Sequence, residues 1–315
     1  MDMVDLSIIV PAYNVGKKIG ATLASIFAQE TKYSYEVLCV DGPSTDNTKE
    51  VVGKYAAEHP NLHPIDYEEK NLLGARKLGV SHAKGRYITF CDGDDLEASN
   101  AVETMVSALD DSGADMVNTG FYYRKKLVVR PTFFRRDKTY DRHELFEELL
   151  RDSYIRGYLW CKAFRREVLT GMNLVVPKSN VYREDQLFTF LAFERVRKAI
   201  SVKTCTYYYD KRGDSGFSGA SVQRVQDFID VLAFERVQLE RLDDKGLLDI
   251  FKKMRFRRKI QIGFDLWLNK KAFTKQEYKV MKKRIRAFLW LLACEDPLPV
   301  KGESWERFFS EDIRQ

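Results

Sequence analysis

A cluster of acidic residues, Asp92-Gly93-Asp94-Asp95, directly follows a short apolar run. Carboxylates at positions i and i+2 behind a buried strand can share a hard cation such as Mg²⁺ or Mn²⁺, because these ions prefer oxygen ligands and commonly bridge to phosphates. An isolated motif of this kind is more often a solvated acidic turn. Its position at the carboxyl end of a predicted strand favours the metal site.

Polar residues follow two other predicted strands in the same way. Leu6–Val10 runs into Pro11–Asn14, and Val37–Val40 runs into Asp41–Ser44. Open α/β sheets bind ligands beyond the carboxyl ends of their strands, so we expect these three ends to form one crevice. No GxGxxG motif follows the first strand and no GxxxxGK[ST] motif occurs, which argues against a Rossmann dinucleotide site and a P-loop.

Strand and helix patterns alternate over the first 120 residues. The runs Leu6–Val10, Val37–Val40 and Ile88–Cys91 are nearly continuous apolar segments, typical of parallel strands covered on both faces. One-sided apolar spacing predicts helices around Ile19–Phe27 and Val102–Leu109. The alternation predicts an α/β fold with a mostly parallel, doubly wound sheet and helices on both faces.

The pattern changes after about residue 120. The later segments are predicted to be extended at Phe121–Arg136, Tyr158–Phe164 and Lys203–Tyr209, and helical at Asp141–Arg151 and Glu184–Phe193. Helical patterns dominate after Ser221. We therefore predict one domain over residues 1–219, with halves at about 1–120 and 121–219, and a helical region over residues 220–315.

Positive charge is concentrated in the segment 252–286, which carries 14 lysines and arginines against two acids, although the whole chain of 315 residues has a net charge of only +6. This segment could bind a polyanionic or lipid-linked acceptor, dock on an anionic membrane surface together with the apolar residues up to 292, or form a solvated helix face. No nucleic-acid-binding module accompanies the charge, so we expect no nucleic acid partner. The helical region could pack on the first domain or on a second copy of the chain, which would form a homo-oligomer.

The cysteines and apolar runs indicate the compartment. Five cysteines, none in a CxxC motif, argue against a disulfide framework and a zinc site and suit a reducing cytoplasm. The longest apolar run, Ala287–Cys294, is far shorter than the roughly 20 residues that span a bilayer. No basic-then-apolar leader opens the chain. We expect a cytoplasmic protein, with peripheral association at the inner face of the membrane.

Four ordered motifs carry a resemblance to a known family: SIIVPAYN at Ser7–Asn14, CVDGPSTDNT at Cys39–Thr48, GARKLGVSHAKGRYITFCDGDD at Gly74–Asp95 and REDQLF at Arg183–Phe188. Together they resemble glycosyltransferases of family 2, the inverting class with the GT-A fold that uses nucleotide-sugar donors. The later YYYDKRGDSGFS at Tyr207–Ser218 is similar to a loop of bacterial surface-polysaccharide members. The resemblance covers about residues 5–218.

The resemblance implies roles for residues at the nucleotide. Pro11, Tyr13 and Asp41 would hold the base, and Arg76 would lie near the base or the diphosphate. Arg212 lies at the glycine-rich stretch Gly213–Gly219, which would either close over the diphosphate or form a flexible connection. The family usually has two adjacent acids after the second strand, whereas this chain has Gly42 at the second position. We expect a UDP-sugar donor. Because Gly42 departs from the family pattern, a sugar donor with another nucleotide is the alternative.

The resemblance also implies the residues of the reaction centre. Asp92 would contact the ribose, and Asp94 would ligate a divalent metal, Mn²⁺ or Mg²⁺, that binds the diphosphate. Asp185 would be the catalytic base, with Glu184 supporting the acceptor or the orientation of the base. All four histidines precede Asp185 in the chain, so we expect the metal to rest on Asp94, the diphosphate and water.

These implications predict a metal-dependent inverting transfer of sugar to a hydroxyl of a glycan, a lipid-linked acceptor or a polyol phosphate, in cell-surface polysaccharide synthesis. The first alternative is a catalytically inactive GT-A module that binds or scaffolds within a synthase complex. The second is a sugar nucleotidyltransferase. That enzyme calls for a basic, glycine-rich phosphate loop after the first strand, where Pro11–Lys18 contains a single glycine.

Overall fold

The computed structural model describes residues 4–125, 128–132, 137–177, 181–210, 222–268 and 270–291. The strands are β1 Leu6–Ala12, β2 Tyr35–Asp41, β3 Leu62–Asp66, β4 Tyr87–Phe90, β5 Leu96–Glu97, β6 Met116–Lys125, β7 Val128–Thr132, β8 Lys138–Asp141, β9 Lys162–Arg165 and β10 Lys198–Asp210. The helices are α1 Ile19–Phe27, α2 Thr48–Glu58, α3 Leu72–His82, α4 Ala101–Ser112, α5 Arg142–Arg151, α6 Arg166–Thr170, α7 Glu184–Phe193, α8 Val222–Arg241, α9 Lys245–Lys253, α10 Arg255–Leu268 and α11 Lys275–Leu291.

These strands form one mixed, mostly parallel sheet in the order β3-β2-β1-β4-β9-β6-β10-β5, with β7 beside β6 and β8 beside β10. The strands from β3 to β4 are parallel, and β10 is parallel to β6. Strand β9 runs antiparallel between β4 and β6. The parallel block explains why three polar strand ends lie at the same edge.

Apolar residues on both faces of the sheet hold the helices in place. Ile9 faces a core shared with α3, α5, α7 and α8, whereas Ile8 and Val10 face a core shared with α1, α2 and α4. Successive side chains of a strand point to opposite faces, so a continuous apolar strand fills both cores. The predicted fold class, an α/β sheet covered on both faces, is confirmed.

The helices after residue 222 extend the first of these cores, with Val225, Phe251, Ile262 and Met281 buried in it. The boundary predicted near residue 219 lies outside the described residues. In the part of the chain that the structure describes, no helix has the length and hydropathy needed to cross a bilayer.

Predicted element bounds are mostly close to those observed. Helix α7 is confirmed from Glu184 to Phe193. The predicted strand at Tyr158–Phe164 is wrong in its first half, since β9 begins only at Lys162. Cys161, just before it, has a left-handed φ of 65°, which ends any extended conformation there. The residues before β9 form a turn whose side chains reach the cleft described next.

Candidate active site

A cleft of about 770 Å³ opens at the carboxyl ends of β1, β2 and β4. Its walls include Pro11–Val15, Gly42, Asp92–Asp95 and Tyr182–Gln186. The three strand ends thus meet the start of α7, a helix buried along nearly its whole length. A rigid helix therefore presents its first residues to the polar edge of the sheet.

The acidic loop after β4 is fixed from behind by β10. The Tyr207 hydroxyl donates to Asp95 Oδ2 at 3.0 Å, and the Asp92 amide donates to that hydroxyl at 3.2 Å. The Asp210 amide donates to Asp95 Oδ1 at 3.2 Å. Asp94 points differently: its carboxylate is about one third exposed and lies 3.5 Å from Lys18 Nζ. Asp95 is therefore held by hydrogen bonds within the protein, whereas Asp94 makes the longer contact with Lys18 given above and is partly exposed.

Negative charge is crowded in this loop. Burial, together with repulsion from Asp92 and Asp94, raises the pKa of Asp95 to about 8. No group of three or more potential metal-ligating side chains occurs among the described residues. The donor set fits a Mg²⁺- or Mn²⁺-type ion that takes one or two carboxylates and completes its shell with substrate phosphates and water. Asp94 would supply the carboxylate, and the ion would relieve the repulsion around it.

Gly93 lets this loop approach β1 closely. A Cβ atom at Gly93 would lie 2.9 Å from the backbone oxygen of Pro11 and 3.3 Å from the side chain of Ile19. We expect Gly93→Ala to lower the free energy of unfolding by about 1–3 kcal/mol, because the loop must shift. The control is Gly53→Ala on α2, where nothing lies within 4 Å. That change should be stabilising by about 0.5–1 kcal/mol. Urea unfolding of both variants measures the difference, and equal stabilities would contradict the packing.

Arg76 joins the acidic loop to α7. Its side chain is 2% exposed; Nη2 donates to Asp92 Oδ1 at 3.0 Å, and Nη1 donates to Glu184 Oε1 at 2.8 Å. Removing one partner of such a buried pair leaves an uncompensated charge, which makes the bridge a strong constraint on geometry. The contact with base or diphosphate implied for Arg76 stays a prediction; here its two terminal nitrogens bind protein carboxylates.

Two carboxylates open α7 beside this bridge. Glu184 and Asp185 occupy its first turn, where the helix dipole favours negative charge. Burial raises the pKa of Glu184 to about 7 against the opposing charge of Arg76. Burial also raises the pKa of Asp185, while Arg76 and Arg183 lower it. A carboxylate that lines a cleft, and whose pKa is raised by burial, can accept a proton from a bound hydroxyl.

The residues predicted to hold the base are only partly brought together. Pro11 and Tyr13 line the cleft, and Lys70 Nζ lies 4.6 Å above the Tyr13 ring. Asp41 is not among the lining residues; it is 6% exposed and accepts a 2.7 Å hydrogen bond from the Ser44 hydroxyl. Arg212 lies outside the described residues. The roles of all five predicted base and diphosphate ligands, Arg76 included, stay predictions.

Sequence reasoning placed Asn14 and Gly42 at the crevice without their structural roles, and it missed Lys70. Asn14 has a left-handed φ of 51° and its side chain accepts the Thr45 amide at 2.8 Å, which ties the loop after β1 to the loop after β2. An asparagine at the end of a strand is a recognisable signal for such a conformation. Lys70 lies just before the motif that begins at Gly74, but nothing in its residue type or spacing singled it out. Gly42 leaves room here, since a Cβ would lie 3.4 Å from the Tyr13 ring.

Known proteins resemble this chain in sequence. Residues 7–170 match the profile described as glycosyl transferase family 2. The uncharacterized glycosyltransferase EpsJ of Bacillus subtilis is 27% identical over 214 residues, which cover 67% of this chain and 62% of that protein. The poly(ribitol-phosphate) beta-N-acetylglucosaminyltransferase TarS of Staphylococcus aureus is 26% identical over 247 residues, or 76% of this chain and 41% of TarS. The chain thus spans less than two thirds of either relative.

Solved structures share the fold. The crystal structure of S. aureus TarS 1-349 in complex with UDP-GlcNAc has a TM-score of 0.69 at 20% identity, covering 92% of this chain and 89% of that one. The mannosyltransferase PcManGT from Pyrobaculum calidifontis, in complex with GDP-Man and Mn²⁺, has a TM-score of 0.54 at 17% identity, covering 93% and 87%. At these identities the likeness concerns the fold.

Proposed function

The chain belongs to glycosyltransferase family 2, and we propose that it is a metal-dependent inverting enzyme that moves a sugar from a UDP-sugar to an acceptor hydroxyl. The acceptor would be a glycan, a lipid-linked saccharide or a polyol phosphate of the cell surface. One observation carries the proposal: Arg76 bridges the acidic loop and α7, so that Asp94 and Asp185 line the same cleft. A module that had lost its chemistry would have no use for both groups.

The proposed reaction needs two events in one site. The sugar–diphosphate bond breaks while the acceptor oxygen attacks the anomeric carbon from the opposite face, which inverts the configuration. Asp185 would take the proton of the attacking hydroxyl, and Arg76 would hold Glu184 and Asp92 in place. A divalent ion, when bound, supplies Lewis-acid stabilisation of the leaving diphosphate. Asp94 and Asp92 would hold the donor at the acidic loop.

The donor is the part of the proposal that is simplest to test. TarS was crystallised with UDP-GlcNAc, and PcManGT with GDP-Man and Mn²⁺, so both nucleotides suit this fold. Calorimetric titration of UDP, GDP, dTDP and CMP with and without Mn²⁺ should show tightest binding of UDP, dependent on Mn²⁺. Preference for GDP would indicate a GDP-sugar as the donor, and Gly42 would be the first residue to test as the cause. Absence of binding by all four nucleotides would favour the inactive module.

The pH profile of turnover should show an acid limb. A base acts only when ionised, and burial raises the pKa of Asp185, so kcat/KM should increase with pH along a limb that lies above the usual range of an aspartate carboxyl. Glu184→Gln removes a neighbouring negative charge and should move the limb to lower pH. Rates of both proteins at saturating Mn²⁺ measure this. A limb that moves upward, or a flat profile, would contradict the assignment of Asp185 as base.

The basic segment 252–286 supports a proposal of peripheral membrane binding. Ile260, Phe264 and Trp267 of α10 are 57%, 57% and 63% exposed at positions i, i+4 and i+7, which places them on one face. Lys270 and Lys271, also exposed, follow directly. Apolar side chains beside basic ones suit an anionic bilayer surface. The predicted homo-oligomer stays a prediction.

We expect Trp267→Ser to weaken sedimentation with vesicles that contain phosphatidylglycerol by about tenfold, since a large apolar side chain no longer enters the interface. Val129→Ser, at an exposed apolar residue on an edge strand, is the matched control and should bind as the wild type does. Neutral phosphatidylcholine vesicles should bind the wild type much less. Equal binding of the wild type to both vesicle types, or equal binding by both variants, would contradict the proposal that this face of α10 binds anionic membranes.

A further inference from the structure

Arginines from distant parts of the chain line one end of the cleft. Arg156 lies in the loop after α5, Arg183 immediately precedes α7, Arg224 belongs to α8 and Arg258 to α10. The acids that line this end, among the described residues, are Asp152, Glu184 and Asp185, and Glu184 is already hydrogen-bonded to Arg76. This part of the cleft therefore carries a surplus of positive charge.

The opposite end, at β1 and β4, has the reverse balance. The described charged residues lining it are the acids Glu69, Asp92, Asp94, Asp95 and Asp210 and the bases Lys70 and Arg76. An acidic end suits a cation together with its phosphates, whereas a basic end suits a second anion. Since Asp185 lies beside Arg183, the basic end adjoins the position proposed for the attacking hydroxyl.

Arg183 combines a left-handed backbone conformation with a guanidinium stacked on an aromatic ring. Its backbone has a left-handed φ of 68°, a conformation that is sparsely populated by residues other than glycine. Its guanidinium lies 4.3 Å over the Phe228 ring and has no hydrogen-bonding or ion-pair partner among the described residues. Stacking on a ring fixes the plane of a guanidinium while its N–H groups stay available to a ligand.

Arg258 adds a buried cation to the same end. The side chain is 2% exposed, its Nε has no hydrogen-bond partner, and its Nη2 lies 3.7 Å from Glu235 Oε2. Burial lowers the pKa of Arg258, which Glu235 raises and Arg183 lowers further. A buried cation with incomplete hydrogen bonding is costly unless another group satisfies it. Glu235 interacts with both the Arg258 and the Arg183 guanidinium. The N–H groups of Arg183 nevertheless have no hydrogen-bond partner among the described residues, so they stay available to a further anion.

We propose that this arginine cluster, defined as Arg156, Arg183, Arg224 and Arg258, binds a phosphate group of the acceptor next to the hydroxyl that receives the sugar. The inference rests on the proposed transfer reaction and narrows its acceptor to a phosphate-bearing polyol or saccharide. Guanidiniums bind phosphate through paired, charge-assisted hydrogen bonds, which fix orientation as well as position. The phosphate would thereby hold its neighbouring hydroxyl at Asp185.

The test uses glycerol 3-phosphate as a probe and neutral glycerol as its matched control, titrated by calorimetry into the wild-type chain saturated with UDP and Mg²⁺. The same titration without UDP keeps the measurement possible if no nucleotide binds. Failure of UDP to bind would overturn the donor proposal. Failure of glycerol 3-phosphate to bind, with UDP bound, would overturn this inference alone.

Substitutions then locate the site. Arg183→Gln and Arg224→Gln should each weaken binding of glycerol 3-phosphate about tenfold or more, and Arg183→Lys should restore part of it. Arg197→Gln is the control, because that side chain is 89% exposed and does not line the cleft. Unchanged affinity in both cluster variants would overturn the inference. So would glycerate binding as tightly as glycerol 3-phosphate, since the site would then not select phosphate.

Discussion

Replacing Asp94 by asparagine is expected to weaken Mn²⁺-dependent binding of UDP about 100-fold and to lower turnover about 1,000-fold, because the metal loses its protein carboxylate. The neighbouring acids cannot substitute without breaking other contacts. Asp95 accepts hydrogen bonds from Tyr207 and the Asp210 amide, and Asp92 accepts one from Arg76. Asparagine keeps the shape of the side chain, so the effect reports charge.

The matched control for this change is Asp111→Asn, which removes an exposed carboxylate on α4 outside the cleft. It should bind UDP and turn over donor like the wild type. Calorimetry with and without Mn²⁺ and a UDP-release assay measure both quantities. If Asp94→Asn bound UDP with unchanged affinity and metal dependence, the assignment of Asp94 as metal ligand would be wrong.

Replacing Asp185 by asparagine should have the second large effect, of a different kind. Turnover with acceptor should fall about 1,000-fold, within the range that a positioned general base contributes, while the affinity for UDP with Mn²⁺ changes less than about threefold. The reason is that Asp185 belongs to the start of α7 and not to the acidic loop that would hold the donor. Steady-state kinetics and calorimetry on one preparation separate the two quantities.

Glu184→Gln is the comparison for this prediction. Glu184 accepts a hydrogen bond from Arg76, so its loss should disturb geometry and lower turnover less than loss of the base does. A larger effect for Glu184→Gln than for Asp185→Asn would transfer the role of base to Glu184. Parallel losses of UDP binding and turnover in Asp185→Asn would indicate a structural role instead.

The parallel part of the sheet could be predicted from the sequence because its signals are local. Buried parallel strands leave continuous apolar runs, as in Leu6–Val10 and Val37–Val40, and polar residues mark where each ends. The loop at Asp92–Asp95 was found in the same way, whereas the roles of Glu184 and Asp185 came from the family resemblance. These signals predict which side chains meet at an edge, and the structure brings Pro11, Tyr13 and the acids there to one cleft.

Contacts between distant residues could not be predicted in this way. Arg76 binds carboxylates 16 and 108 positions away, and the arginine cluster draws on residues from 156 to 258. Each of these arginines, taken alone, looks like an ordinary surface charge. The error at Tyr158–Phe164 has a similar origin, because its apolar pattern reflects a turn that packs against the cleft rather than a strand.

The central claim, metal-dependent inverting transfer from a UDP-sugar, is tested most directly by following the anomeric configuration of sugar released from α-linked donors. We would incubate the chain with Mn²⁺ and UDP-glucose, UDP-galactose or UDP-N-acetylglucosamine, with water as acceptor, and record proton NMR spectra from the first minutes. The account predicts that one donor yields the β-anomer first, and that chelation of the metal stops the reaction. First appearance of the α-anomer, or turnover unaffected by chelation, would contradict it.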